Sequence, residues 1–151
     1  MQDDCLFVDN NDLVEIKIYY RKKNKKCQAF TEEEFNTLKK KTEIEKNKIG
    51  FEENQFKELN LKMKELNWGL YNDLQESSTE SSENGERLFN YRKYREYKFE
   101  RLLVSWDAKD PNGNVAAVNP VMIKKLPPEI PDTALKAYDT ISFLDKDSEK
   151  N

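Results

Sequence analysis

Histidine is absent from this 151-residue chain, glycine occurs only four times and cysteine twice. Without histidine, serine and cysteine nucleophiles lack their usual base, and histidine-ligated zinc, haem or copper sites are excluded. The glycines, Gly50, Gly69, Gly85 and Gly113, are scattered, so no glycine-rich loop cradles a phosphate. Cys5 and Cys27 are too few for a disulfide framework or zinc ribbon and read as free thiols in a reducing cytosol. No apolar run approaches the roughly 20 residues that span a bilayer. The acidic start, MQDDCLFVDNND, lacks the basic-then-apolar order of a secretory signal. An excess of one charge is also missing. The 26 basic and 29 acidic side chains leave a net −3, too little to steer the chain towards nucleic acid or membrane. Leu, Ile, Val and Phe together supply 35 residues, about 23%, only just enough to bury a core. The expectation is an intracellular, surface-rich domain that uses no cofactor, metal, small-molecule substrate or membrane.

What is present begins with β signals. In residues 13–20, Val14, Ile16, Ile18 and Tyr20 alternate with Leu13, Glu15, Lys17 and Tyr19, the period of a half-buried strand. Leu6, Phe7 and Val8 are positioned to pair with it across an Asp9-Asn10-Asn11-Asp12 turn. Residues 21–26 then carry five positive charges in six positions, which suits a solvated hairpin tip or a contact with a phosphate or acidic partner.

Helical signals follow. Thr31 with Glu34 forms a capping box, and Glu32 and Glu33 favour the positive end of the helix dipole. Phe35, Leu38, Thr42 and Ile49 trace a narrow apolar stripe up to Gly50. Residues 51–66 repeat Phe56, Leu59, Met63 and Leu66 at spacings of 3, 4 and 3, which predicts a second helix. Asn67 caps a third, holding Trp68, Leu70, Tyr71 and Leu74. The polar run over residues 77–85 reads as a mobile loop. A fourth helix is predicted over residues 87–104, with Leu88, Tyr91, Tyr94, Phe99 and Leu102 in helical period. Asp110-Pro111-Asn112-Gly113 is a turn between two short β segments. Asn119-Pro120 opens a short helix by cap plus N1 proline, Leu126-Pro127-Pro128 stops it, and Pro131 or Asp132 opens the last. The predicted fold is α+β but mainly helical: an N-terminal β-hairpin (residues 1–30), a helical domain with a short β turn region before its last helices (31–144), and a flexible charged tail (145–151).

Few constellations carry chemistry. Tyr91, Arg92, Lys93, Tyr94, Arg95, Tyr97, Lys98, Phe99 and Arg101 interleave rings with cations, as single-strand binding platforms do. On a helix, however, these residues point all round, and a packed stripe with snorkelling cations accounts for them, so nucleic acid is disfavoured. Aligning Gly113 with the sixth position of a calcium loop puts Asp110 third and Asn112 fifth, but leaves Ala108 first and Asn119 twelfth, where carboxylates are needed. No acidic pair sits in an apolar, glycine-shaped context, so no catalytic residue is assigned and the chain reads as a non-enzyme. Trp68 and Trp106 suit either core anchors or interface hot spots.

From residue 66 the order of features resembles a known family. Leu66-Asn67-Trp68-Gly69-Leu70-Tyr71-Asn72-Asp73-Leu74 resembles the "L-T-W-G-x-x-N-x-I" opening of tail assembly chaperones of tailed bacteriophages. Those proteins continue with a polar loop, a basic amphipathic helix and a tryptophan–turn–"L-P-P" segment. Trp106, Asp107, Asp110, Gly113, Val115, Val118, Ile123, Leu126, Pro127, Pro128 and Ile130 match that segment here. The similarity spans residues 66–138. It implies a non-enzymatic protein that coats the helical tape measure protein and recruits tail tube subunits during tail assembly in the host cytoplasm. Trp68, Tyr71, Leu74, Tyr91, Tyr94 and Phe99 are the expected partner-binding face. Trp106, Gly113, Pro127 and Pro128 are expected to be structural, the prolines fixing the bend that docks the last helix. The alternatives are a permanent tail or baseplate component of the virion and a nucleic-acid-binding accessory protein. Homo-oligomer formation stays open.

Overall fold

The computed structural model describes residues 6–8, 12–44 and 55–150. The expected turn over residues 9–12 and the break at Gly50 lie largely outside them. A four-stranded antiparallel sheet of order β2-β1-β3-β6 is the centre of the molecule. Its strands are β1 (Leu13–Lys23), β2 (Lys26–Thr31), β3 (Lys57–Lys64) and β6 (Leu103–Trp106). Helices α1 (Glu32–Ile44), α2 (Trp68–Ser77), α3 (Tyr91–Leu102), α4 (Pro120–Ile123) and α5 (Glu129–Lys150) surround it, with a small hairpin of β4 (Thr79–Ser81) and β5 (Arg87–Phe89) between α2 and α3. The sheet corrects the mainly helical expectation.

The largest departure is β3, where a helix over residues 51–66 was expected. Leu59, Leu61 and Met63 stand directly opposite Ile18, Ile16 and Val14 of β1. All three β3 residues are buried, with Lys62 and Asn60 exposed between them, so period 2 prevails over the 3-4-3 spacing. β1 likewise does not pair with Leu6, Phe7 and Val8. Its hairpin partner is β2, through a two-residue turn in which Asn24 and Lys25 both have positive φ, 53° and 66°. The basic stretch over residues 21–26 thus forms that hairpin's tip. Residues 77–85 are not a loop throughout: Thr79, Glu80 and Ser81 pair with Phe89, Leu88 and Arg87. The helix expected over residues 87–104 is shorter, because Leu88 belongs to β5 and Leu103 and Val104 begin β6.

Local caps form as their side chains dictate. Thr31 Oγ1 accepts from Glu34 N at 3.1 Å while Glu34 Oε1 accepts from Thr31 N at 3.2 Å, a reciprocal capping box. Asn67, Asn90 and Asn119 each accept from the amide three residues on, at 2.8, 3.2 and 2.9 Å. α5 starts at Glu129, directly after Pro127-Pro128, so Pro131 sits inside its first turn, where no amide partner is required. It continues to Lys150, so residues 145–150, expected as a flexible charged tail, lie within its helical span.

One face of the sheet holds the core. Ile16, Ile18, Leu59, Leu61 and Met63 pack against Phe99 and Leu102 of α3 and Ile130, Ala134, Leu135 and Tyr138 of α5. The opposite face is mostly polar apart from a small aromatic group. There Phe35 of α1 stacks on Tyr19 at 3.9 Å, and Phe56 meets both Phe35 and Phe30 edge-on. This docks α1, whose stripe is otherwise too narrow to hold it. Glu34 adds an ion pair to Lys136 of α5 at 3.3 Å. No described helix is long and apolar enough to cross a membrane.

Candidate partner-binding surface

The six expected face residues divide between surface and interior. Trp68, in the first turn of α2, is 76% exposed, and its ring stacks on Tyr71 at 6.0 Å and 22°. α2 starts there because Asn67 caps it. The cap fixes the first turn and turns two adjacent rings outwards on a helix whose only buried residue is Leu74. Tyr91, at the first position of α3, is 66% exposed. Tyr94 is half-buried and meets Tyr91 at 6.4 Å and Phe89 at 5.4 Å.

Leu74 and Phe99 are corrected. They are 0% and 1% exposed, Phe99 within the main core, and neither is available to a partner. Both lie on the side of their helices that turns inwards, whereas Trp68, Tyr71 and Tyr91 lie away from it. Leu88 and Phe89 of β5 are exposed, Phe89 beside Tyr94, and sequence reasoning missed them as surface. The signal was their place next to the Gly85 turn, where a short hairpin has no opposing layer. Gly85 has φ of 79°, the left-handed conformation such a turn needs.

Cations brace this surface from behind. Lys98 is nearly buried, its Nζ donating to Asp139 Oδ1 at 2.7 Å and lying 5.6 Å and 5.5 Å from the Tyr94 and Tyr138 ring centres. It ties α3 to α5 and holds the Tyr94 ring. Arg101 lies over Tyr97, and its guanidinium donates to Ser77 Oγ at 2.9 Å, tying α3 to the end of α2. Arg95 pairs with Asp132 and Lys93 with Glu80. The interleaved rings and cations of α3 therefore spread around the helix into separate packing roles, and they present no flat stacking platform.

No protein-family model, curated protein or solved structure matches this chain. Its chemistry is then read from the site alone. Trp106, Gly113, Pro127 and Pro128, expected to be structural, lie in the following local settings. The Trp106 indole is buried and donates from Nε1 to the Ala116 carbonyl at 2.7 Å, closing the loop that Asp110 organises. Asp110 Oδ1 accepts from both Asn112 N and Asn114 N, and Gly113 takes φ of 84°. The Pro127 carbonyl accepts from Ile130 N at 3.0 Å, which sets the first turn of α5.

Glu100 is pushed up by burial and by neighbouring Glu96, and its Oε1 is buried with no hydrogen-bond partner among the described residues. Glu34 moves down: burial opposes its charge, but Thr31 and Lys136 outweigh that by hydrogen bonding and attraction. Among the described residues, no group of three or more acidic or thiol side chains is placed to hold a metal ion. What the surface offers is exposed rings on a braced frame, suited to gripping an apolar stripe.

Proposed function

We propose that the chain is a non-enzymatic, tail-assembly-chaperone-like protein that grips an amphipathic helix of a tape measure protein and recruits tail tube subunits. The observation that carries this reading is the outward Trp68–Tyr71 pair. A tryptophan this exposed in a chain so poor in large apolar residues points to a partner that covers it. Tyr91, Leu88 and Phe89 extend the same chemistry onto β5 and α3. An amphipathic helix presents apolar residues at i, i+3, i+4 and i+7, and rows of exposed rings are what such a stripe docks on. The host cytoplasm, where tails assemble, is the proposed compartment. The resemblance over residues 66–138 supplies the partner class, and the exposed rings supply the means.

The test is co-expression with a phage tape measure protein. The chain should keep that partner soluble and co-purify with it, and Trp68→Ala combined with Tyr91→Ala should reduce capture at least tenfold. The melting temperature should stay within a degree or two, because both rings lie outside the core. Finding the chain at fixed copy number in finished particles would refute the chaperone reading in favour of a virion component.

A further inference from the structure

One edge of β1 is only half covered. β3 pairs with residues 13–20, but β2, on the other side, reaches back only to Ile18. Residues 13–17 therefore have an edge that no strand pairs with among the described residues. Backbone groups alternate between the two sides of a strand, and the hairpin turn fixes their phase. Lys23 and Lys26 flank its two residues and face each other, so Lys23, Arg21 and Tyr19 point their amides and carbonyls towards β2. Asp12 has the other phase: its carbonyl accepts from Glu65 N at 3.0 Å on the β3 side. By this alternation the N–H and C=O groups of Leu13, Glu15 and Lys17 point into the open edge. No hydrogen bond to them there occurs among the described residues.

This edge lies in a groove of about 660 Å3. α1 walls it on the polar face of the sheet and α5 on the core face. Beside Thr31, where β2 stops, Glu34 and Lys136 join the two walls at 3.3 Å. Ile16, Ala137 and Ile141 make the α5 side apolar, while Glu15, Lys17, Thr37 and Lys40 make the α1 side polar. The lining holds four glutamates against three lysines, and Glu15, Glu32 and Glu33 have no ion pair among the described residues. A second copy's β1 would bring its own α1 and α5 against these walls, whereas a single extended segment brings none. We propose that residues 13–17 accept an extended segment of a partner protein as an added strand. Its alternate apolar side chains lie beside Ile16, Ala137 and Ile141, and a basic side chain stands opposite Glu15. The unpaired backbone groups supply the attraction, the apolar wall sets the register, and the surplus carboxylate selects Lys or Arg. Five strand residues cover about 16 Å, so a short segment suffices. This contact goes beyond the aromatic surface and does not rest on the partner-binding reading.

Amide hydrogen exchange of the full chain, read residue by residue by NMR, tests it. In the free protein the amides of Leu13, Glu15 and Lys17 should exchange at least tenfold faster than those of Val14, Ile16 and Ile18, which face β3. The probe is a blocked peptide of about seven residues that alternates lysine and valine. At saturation it should slow the three open amides at least tenfold. N-methylating one alternate set of its residues should weaken binding at least tenfold, and N-methylating the other set should be tolerated, because only one set faces β1. Thr140→Trp, at an exposed position in the groove, should abolish binding while circular dichroism and melting match the parent. Glu15→Gln should weaken binding severalfold, and Trp68→Ala should leave it unchanged. Open amides already protected in the free protein, a peptide that does not slow them, or equal loss from both methylated sets each overturns the proposal. So does a dimer of the chain that the peptide dissociates, which would give the edge to a second copy.

Discussion

Tyr138 ties the last helix to the sheet, and pH exposes how strongly. Its side chain is 2% exposed, and its hydroxyl donates to the Lys64 carbonyl at 3.0 Å, at the end of β3. Burial pushes its phenol from the ordinary 10.0 up to about 12, with the Leu66 amide pulling the other way and the Glu65 and Asp139 charges adding to the rise. The unfolded chain gives up this proton near pH 10, while the folded chain holds it. The native state therefore binds more protons between pH 10 and 12, and stability falls through that window. At 1.36 kcal/mol per unit, the two-unit gap removes at most about 3 kcal/mol by pH 12. Tyr138→Phe abolishes this titration and at neutral pH loses one hydrogen bond, about 1 kcal/mol. Urea unfolding of both proteins from about pH 8 upwards reads the difference. The variant starts about 1 kcal/mol weaker, meets the parent near pH 11, and ends about 2 kcal/mol stronger. Tyr19, Tyr20 and Cys27 are also raised by burial, but they are common to both chains and cancel. Parallel stability curves would mean that the hydroxyl is not sealed between α5 and β3.

Other substitutions probe other parts of the frame. Phe99→Ala should cost about 3–5 kcal/mol in urea unfolding, since it empties a fully buried ring position; a loss below about 1 kcal/mol would return Phe99 to the surface. Gly113→Ala forces an L side chain into φ of 84°, although nothing within 4 Å obstructs the new Cβ. It should lower stability by about 1 kcal/mol through strain alone, and an unchanged melting temperature would show that the turn relaxes. Glu100→Gln should raise the melting temperature at neutral pH, because the fold opposes the charge that Glu100 carries there. The gain should vanish in acid, below the unfolded carboxylate range where the parent is protonated as well, and a gain that persists there would point to another cause.

The parts of the fold legible in the sequence are those decided within a few residues. Thr31 with Glu34, Asn67, Asn119 before Pro120, and Asp110 before Gly113 each form the cap or turn that their side chains dictate. β3 was misread because two periods coexist in it. Phe56, Leu59, Met63 and Leu66 fit a helix, while Leu59, Leu61 and Met63 fit a strand, and the surrounding lysines and glutamates favour helix. The strand prevails because β1 places Val14, Ile16 and Ile18 opposite those three residues, a non-local fact that no short window contains. The little hairpin over residues 79–89 was hidden for another reason. Its strands are three residues each and are exposed along most of their length, so no alternating apolar signal marks them.

The same non-local choice sorts the site. Trp68, Tyr71 and Leu74 share one short helix, yet only Leu74 turns inwards; Tyr91, Tyr94 and Phe99 grade from surface to core along α3. Sequence spacing puts all six within reach of a common stripe, and the position of the sheet decides which of them it covers. That decision also explains how so few apolar residues suffice. The sheet concentrates Ile16, Ile18, Leu59, Leu61 and Met63 into one face that two helices close. With the core completed by these short alternating strands, the rings on α2, β5 and α3 are surplus to it. Apolar groups left outside a finished core lower solubility unless something covers them. In a chain with so few to spare, exposed rings on these three elements are the reason for proposing that a partner covers them.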